Sequence, residues 1–248
     1  MTAPTQARPV VLVSGAARRI GAVIAQTLHA AGHDLALHCR NSRDDLDQLI
    51  AKLERERPNS TLALQADLSD LTQMPALIEA TMQRFGRLDG LVNNASDVFA
   101  TAFGSVTSEQ WDRLFASNAR APFFLAQAAA PQLKKTGGAI VNLLDIYAER
   151  PLAGHSVYCM AKAAQAAMTH ALALELGPEV RVNGVAPGAV MWPEADSDAA
   201  HRAKIIERTP LKRTGQPAEI ADAVLWLLRD ARFVTGQIIR VDGGRLFA

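Results

Sequence analysis

Two cysteines, Cys39 and Cys159, are all that the 248 residues contain. They are too few for a disulfide framework, and reduced thiols in a cytosolic compartment are the simpler expectation. Charge of neither sign is in real excess: 26 Lys and Arg against 25 Asp and Glu leave a formal net charge of +1. That balance argues against a broad nucleic-acid or membrane footprint. No apolar run approaches the ~18–20 residues that a membrane span requires. The N-terminal M-T-A-P-T-Q-A-R-P lacks the apolar stretch of a secretory signal. There is no low-complexity run, charge block or linker to mark a second domain, and no cluster with metal-ligand spacing. What remains is a chain with 49% hydrophobic residues, ample for one α/β domain with its own core. The expectation is a single soluble, cytoplasmic domain over 1–248, with a flexible N-terminus over 1–8 and no metal.

The first sixty residues set the pattern. V-V-L-V-S over 10–14 is a short β-branched run of the kind buried on both faces of a sheet. It runs into G-A-A-R-R-I-G, Gly15 to Gly21, then a helical apolar period ending at Gly32, and D-L-A-L-H-C over 34–39 reads as a second strand. Strand, glycine-bounded turn, helix and strand make a βαβ unit. Such units continue: helices are expected over 44–57, 70–85, 108–119, 122–134 and 217–229, with a break at Pro122. Another helix carries Tyr158 and stops at Leu176. Strands are expected over 61–66, 88–92, 139–144, 180–185 and 237–241. The stretch 191–201, interrupted by Pro193, reads as a mobile loop leading into a short helix. Strands alternating with helices predict a Rossmann-type, doubly wound parallel sheet of about seven strands with helices on both faces. Right-handed crossovers then place ligands at the carboxyl ends of the strands.

The first turn has Gly15 and Gly21 with Arg19 where a further glycine might stand. It follows a strand and opens a helix, where backbone N–H groups and the helix dipole attract phosphate, and Arg18 and Arg19 add two cations. The second strand ends in His38-Cys39-Arg40-Asn41-Ser42, with no acid before Asp44. An acid there would hold ribose hydroxyls and repel a 2′-phosphate. His38, Arg40 and Ser42 are instead phosphate donors, which favours NADPH over NADH. Asp67-Leu68 ends the third strand where a carboxylate and an amide suit an adenine edge. Asn94, Ala95 and Ser96 end the fourth, facing the same ligand.

Tyr158 and Lys162 stand four residues apart in an Ala-rich helical run. Side chains at that spacing share a helix face. A lysine ammonium there favours tyrosinate, so the tyrosine pKa is expected to fall toward neutrality and make Tyr158 a usable proton donor. Cys159 points about 100° away around the helix and reads as core. His155 reads as a loop histidine.

In order along the chain, S-G-A-A-R-R-I-G, D-L, N-N-A, S-N-A, Y-C-M-A-K and P-G after R-V-N-G-V-A resemble the short-chain dehydrogenase/reductase superfamily over essentially the whole length. The resemblance implies nicotinamide chemistry and a dimer or, more often, a homotetramer. It makes Tyr158 the catalytic tyrosine and Lys162 its partner, which also holds the nicotinamide ribose. Asn118, in F-A-S-N-A-R, matches an asparagine supporting a proton-relay water. Ile20, Pro187, Gly188 and Val190 fall where that superfamily contacts the cofactor. The tail R-L-F-A after Asp242-Gly243-Gly244 is expected at a subunit interface, with Arg245 near a neighbour's pocket.

Most of that superfamily has a serine twelve or thirteen residues before the tyrosine, holding the substrate carbonyl. Here Asp145 stands thirteen before Tyr158. A carboxylate repels a developing alkoxide and disfavours simple ketone reduction. It suits a substrate with N–H donors, or a ring nitrogen that must gain a proton. In this the chain resembles pteridine reductases and their bacterial dihydromonapterin-reductase relatives, as do the arginine in the first turn, H-C-R-N-S, N-A-S and A-E-R-P-L-A-G-H-S-V-Y. That resemblance implies reduction of a pterin or folate, with Arg19 and Ser96 touching both cofactor phosphate and pterin. Those relatives stack an aromatic on the pterin shortly after N-A-S. Here Phe99 comes one place late and Val98 holds the expected position, so either the loop shifts or the stacking partner is lost. Trp192 is a candidate cover from the other side. Two other readings stand beside this one. One is a carbonyl or 3-oxoacyl reductase in which Asp145 is incidental, and the other is an NADP(H)-binding sensor without catalysis.

Overall fold

A computed structural model describes residues 8–192 and 198–248. Its centre is a seven-stranded sheet in the order β3-β2-β1-β4-β5-β6-β7, every neighbouring pair parallel. The strands are β1 (Val10–Val13), β2 (Asp34–Cys39), β3 (Thr61–Gln65), β4 (Gly90–Asn93), β5 (Ala139–Leu143), β6 (Arg181–Pro187) and β7 (Ile238–Val241). All four residues of β1, all four of β4 and all five of β5 are buried. This is why those runs read as continuously apolar rather than alternating.

Helices cover both faces. On one lie α1 (Arg19–Ala30), α2 (Arg43–Glu56) and α8 (Pro217–Arg229), whose Ile24, Leu28, Leu46, Leu53, Ile220 and Val224 pack with Val11, Val13 and Val141 of the sheet. On the other, α3 (Met74–Phe85), α5 (Ala121–Thr136) and α6 (Ser156–Leu176) bring Leu77, Leu125, Leu133 and Leu172 against Leu12, Leu91 and Ile140. Two further helices are α4 (Ser108–Phe115), whose Leu114 packs with Val157 and Tyr158 of α6, and α7 (Ala199–Arg208). The expected loop over 191–201 falls partly on 193–197, outside the described residues, and the helix expected after it is α7. Residues 1–7 of the expected flexible N-terminus also lie outside, whereas the Arg8 guanidinium pairs with Asp34 at 3.1 Å.

The break expected at Pro122 does not occur. Helix α4 passes through a π-helical segment, Ala116–Arg120, directly into α5, with Pro122 in the first turn of the new helix. Proline's missing N–H costs nothing there, and the wider π turn absorbs the change of register.

The order of the sheet reverses at β1, which has β2 on one side and β4 on the other. A crevice opens at the carboxyl ends of the strands on either side of such a switch point. The loops leaving β1, β2, β3, β4, β5 and β6 all meet there.

Candidate active site

The turn after β1 is held very close to the turn after β4. Gly15 has φ +64, and a Cβ on it would stand 2.9 Å from the Ala95 Cα. The Asn94 side-chain amide donates to the Ser14 and Gly15 carbonyls, each at 2.9 Å, and the Ser14 hydroxyl accepts the Asn94 and Ala95 amides, each at 3.0 Å. Asn94 therefore ties the two turns together. Helix α1 begins right after them with no side chain capping its first turn and no acid within it. Its first N–H groups and dipole fit a phosphate.

The end of β2 is basic and polar, as expected. Arg40 is exposed on the cleft, and the Arg18 guanidinium donates to the Ser42 hydroxyl at 2.6 Å while pairing with Asp45 at 2.9 Å. His38 departs from expectation. It is 2% exposed; its Nδ1 accepts the Gly15 N–H at 3.3 Å, and Nε2 lies 3.1 Å from the Ala66 carbonyl. One neutral tautomer satisfies both bonds, and burial lowers its pKa. His38 props up the phosphate turn from beneath and has no N–H to offer a phosphate. Asp67 is held below the usual carboxylate range by bonds from Ser69, and Leu68 is buried beside it.

Every residue expected to hold the cofactor, from Gly15 to Val190, lines one continuous cleft of about 1100 Å³, which also reaches Asp145, Tyr158 and Lys162. The helix α6 carries Tyr158 and Lys162, and the extended backbone at Asp145 continues β5. The Tyr158 hydroxyl donates to Asp145 Oδ2 at 2.9 Å, and the Tyr147 N–H donates to Oδ1 at 2.9 Å. Lys162, 2% exposed, turns its ammonium to the Leu143 carbonyl at 2.8 Å and Gln165 Oε1 at 3.1 Å.

This geometry reverses the tyrosine expectation. The ammonium lies 5.9 Å from the Tyr158 ring centroid and bonds elsewhere, whereas a carboxylate touches the hydroxyl. Burial first, and then the Asp145 charge, raise the Tyr158 pKa well above its ordinary value. Tyr158 is therefore a neutral phenol, a proton donor held on Asp145 rather than a near-tyrosinate. Burial also raises the Asp145 pKa, against its hydrogen bonds and the Lys162 charge. Burial lowers that of Lys162 to about 8, with Asp145 opposing.

Three expected residues stand apart from the cleft. Asn118, 0% exposed in the π segment, has its side chain fully engaged. It accepts the Ser96 hydroxyl at 2.6 Å and donates to the Asp97 and Leu114 carbonyls at 2.8 and 3.0 Å. Its side chain positions Ser96 rather than facing the lysine. Phe99 packs with Leu114, Val157 and Tyr158 beneath the Arg113 guanidinium, while Val98 lines the cleft. Trp192 lies under Arg202, with its carbonyl taken by the Arg19 guanidinium at 3.3 Å. Cys159 is buried, as expected, and its sulfur accepts the Leu152 N–H. Arg245 lies on its own chain's Tyr147, donating to that hydroxyl at 3.0 Å. Sequence reasoning missed Arg113 and Met191 on the cleft, and Gln165 behind the lysine. Among the described residues no group of three or more potential ligands could hold a metal, and no helix is long and apolar enough to cross a membrane.

A long cleft at the switch point of a parallel sheet, ending on a buried tyrosine and lysine, is the arrangement of a Rossmann-type oxidoreductase. The family model described as Enoyl-(Acyl carrier protein) reductase matches residues 15–245. The chain belongs to the short-chain dehydrogenase/reductase family, whose members use NAD(P)H. It is 36% identical to Pteridine reductase 1 of Leishmania tarentolae, covering 98% of this chain and 97% of that one. It is 33% identical to Short chain dehydrogenase mdpC of Emericella nidulans, covering 98% and 99%. The 3-oxoacyl-(acyl-carrier-protein) reductase FabG of Staphylococcus aureus is 32% identical, covering 94% and 96%.

Proposed function

We propose that this protein is an NADPH-dependent reductase of pteridines, converting a dihydropterin such as dihydrobiopterin or dihydromonapterin, or dihydrofolate, to the tetrahydro form. The observation that carries the reading is the bond from Tyr158 to Asp145 Oδ2, at the place where a ketone reductase needs a neutral hydroxyl. A carboxylate there accepts N–H donors of an aminopterin ring and disfavours an alkoxide.

The cofactor would be held by the uncapped start of α1 and by the turn that Asn94 braces. Arg18, Arg40, Asn41 and Ser42, which line one part of the cleft, would take a 2′-phosphate, and Asp67 and Leu68 the adenine. NADPH supplies a hydride for a ring carbon beside an imine nitrogen. The protein's part is to present a proton on the other side of that bond. Tyr158 holds one on its phenol, Asp145 shares it and orients the ring, and Lys162 holds the ribose. Arg19 and Ser96, both lining the cleft, hold the pterin beside the diphosphate. Phe99 is packed away from the cleft, so its expected stacking role passes to smaller neighbours such as Val98. The same reading makes this a cytoplasmic homotetramer; the exposed apolar side chains Trp111, Phe123 and Met160 on α4, α5 and α6 suit self-association. Sedimentation equilibrium tests the assembly.

Similarity to FabG favours a second reading, reduction of a 3-oxoacyl substrate. Initial rates with NADPH and either dihydrobiopterin or dihydrofolate, run beside a panel of simple ketones and 3-oxoacyl thioesters, separate the two. Turnover of the dihydropterin is the expected result. Good turnover of ketones with none of either pteridine overturns the proposal.

A further inference from the structure

Among the described residues Lys162 is the largest fully buried side chain, and none of their carboxylates is bonded to it. Its two acceptors are neutral, the Leu143 carbonyl and the side-chain oxygen of Gln165. Gln165 sits one turn further along α6, on the same helix face, and is itself only 1% exposed. A buried glutamine needs a reason in the core; the side-chain oxygen of this one is taken by Lys162, one helical turn before a buried polar chain that starts at Thr169. The Gln165 backbone carbonyl accepts the Thr169 hydroxyl at 2.9 Å, and that hydroxyl accepts the Asn142 amide at 2.9 Å. The Asn142 oxygen in turn accepts the Asn93 amide at 2.8 Å. Thr169 and Asn142 are 0% exposed. The chain ties α6 to β5 and β4, the strands that supply the Leu143 carbonyl and lead into Asp145.

We propose that Gln165 is a positioning residue for Lys162, holding the ammonium against the Leu143 carbonyl so that its remaining N–H faces the cleft. The inference rests on the reading of Lys162 as a functional group, and not on which substrate is reduced. Two dipolar acceptors are what keep a cation in a site that burial otherwise empties of charge. The ionisable groups that face it are Asp145 at the end of β5 and Tyr158 one turn earlier on its own helix. Without Gln165 the ammonium keeps one acceptor and is free to swing toward Asp145, out of reach of a ribose.

The test compares Gln165→Leu, Gln165→Glu and Lys162→Met in the holoenzyme, using whichever substrate the wild type reduces. Two measurements are made: the pH dependence of kcat, and direct titration of labelled lysine Nζ by NMR. In Gln165→Leu the alkaline limb and the lysine titration are both expected to move toward acid by about one pH unit or more, because an acceptor of charge is gone. In Gln165→Glu both move to the alkaline side of the wild-type position, because a carboxylate replaces the neutral acceptor. A merely structural role changes stability without moving either in opposite directions. Wild-type profiles in both Gln165 variants, with Lys162→Met inactive, overturn this inference and leave the proposed activity standing. A Lys162→Met enzyme with the wild-type rate overturns the reading of the site and this inference with it. If Gln165→Leu does not fold, the Glu variant and its lysine titration still decide.

Discussion

Tyr158 donates its hydroxyl proton to Asp145 Oδ2 across 2.9 Å, so the two groups titrate as a pair rather than singly. Asp145→Ser breaks the pair and installs the hydroxyl that a carbonyl oxygen needs. Turnover of a dihydropterin is expected to fall by about 100-fold or more, the usual range for losing an acid–base group, while reduction of simple ketones rises. The tyrosine should respond as well. Its pKa stands high through burial and then through Asp145, so the tyrosinate absorbance of the variant should appear at lower pH than in the wild type. The protein has two tyrosines, and Tyr158→Phe assigns the signal. An unmoved titration would contradict the pairing.

Lys162 predicts a pH dependence of stability with a definite sign. Burial lowers its pKa from 10.5 to about 8 in the folded protein. Between those values the unfolded chain binds a proton that the folded one does not, so unfolding becomes harder as pH rises. Below pH 8 the lysine is charged in both states and the fold carries the full cost of burying it. The contribution gained between about pH 8 and 10.5 is on the order of 3 kcal/mol. Lys162→Met has no such proton. Urea unfolding of both proteins should show their stability difference shifting in favour of the wild type across that window. A constant difference would mean that burial does not lower the Lys162 pKa, the ammonium staying charged in the fold as in the unfolded chain.

The strand positions and the cleft were legible because they depend on local patterns: short β-branched runs, glycine at turns, and a basic strand end. Even so, the role of His38 was not. Its partners, Gly15 and Ala66, lie 23 and 28 residues away in sequence and meet it only through strand pairing. The tyrosine expectation failed for a related reason. Helical spacing placed Lys162 on the right face, but its ammonium turned to a β5 carbonyl that no helix pattern announces. Gln165 was hidden in an Ala-rich run, where a glutamine ordinarily reads as a solvated residue.

Val98 lines the cleft while Phe99 packs with Leu114 and Tyr158. Val98→Phe therefore offers an aromatic face where none now points, and stacking of that kind adds about 0.5–1.5 kcal/mol beyond area burial. The KM for a dihydropterin should fall by about two- to tenfold with kcat little changed. Phe99→Ala should chiefly lower thermal stability. If Phe99→Ala instead raises the pterin KM and leaves the melting temperature alone, Phe99 is the stacking residue after all.

Buried neutral histidines make the fold sensitive to acid. Burial lowers the pKa of both His33 and His38. Below pH 6.5 the unfolded chain takes up protons that these histidines refuse in the fold, so stability should fall as pH drops through 6.5. His38→Leu removes one such proton and should flatten the decline between pH 6.5 and 5. At pH 7 it should also cost about 1–3 kcal/mol, because the Gly15 N–H and Ala66 carbonyl lose their partner. Loss of NADPH affinity without loss of stability would instead make His38 a direct ligand.

Arg18 reaches Ser42 and Asp45 across the mouth of the cleft, and Arg40 is exposed beside them. A 2′-phosphate arriving there would draw on Arg18, Ser42 and Arg40 together, each a charge-assisted donor worth more than a neutral bond. Arg40→Glu removes one cation and sets an anion against the phosphate. The ratio of kcat/KM for NADPH over NADH should drop by about 100-fold or more, mainly through KM for NADPH. Arg18→Ala should act more weakly, because it removes a cation without installing an anion in its place, and added salt should narrow the wild-type preference as it screens these exposed charges. A preference for NADPH that survives Arg40→Glu unchanged would mean that the selectivity lies elsewhere than at the end of β2.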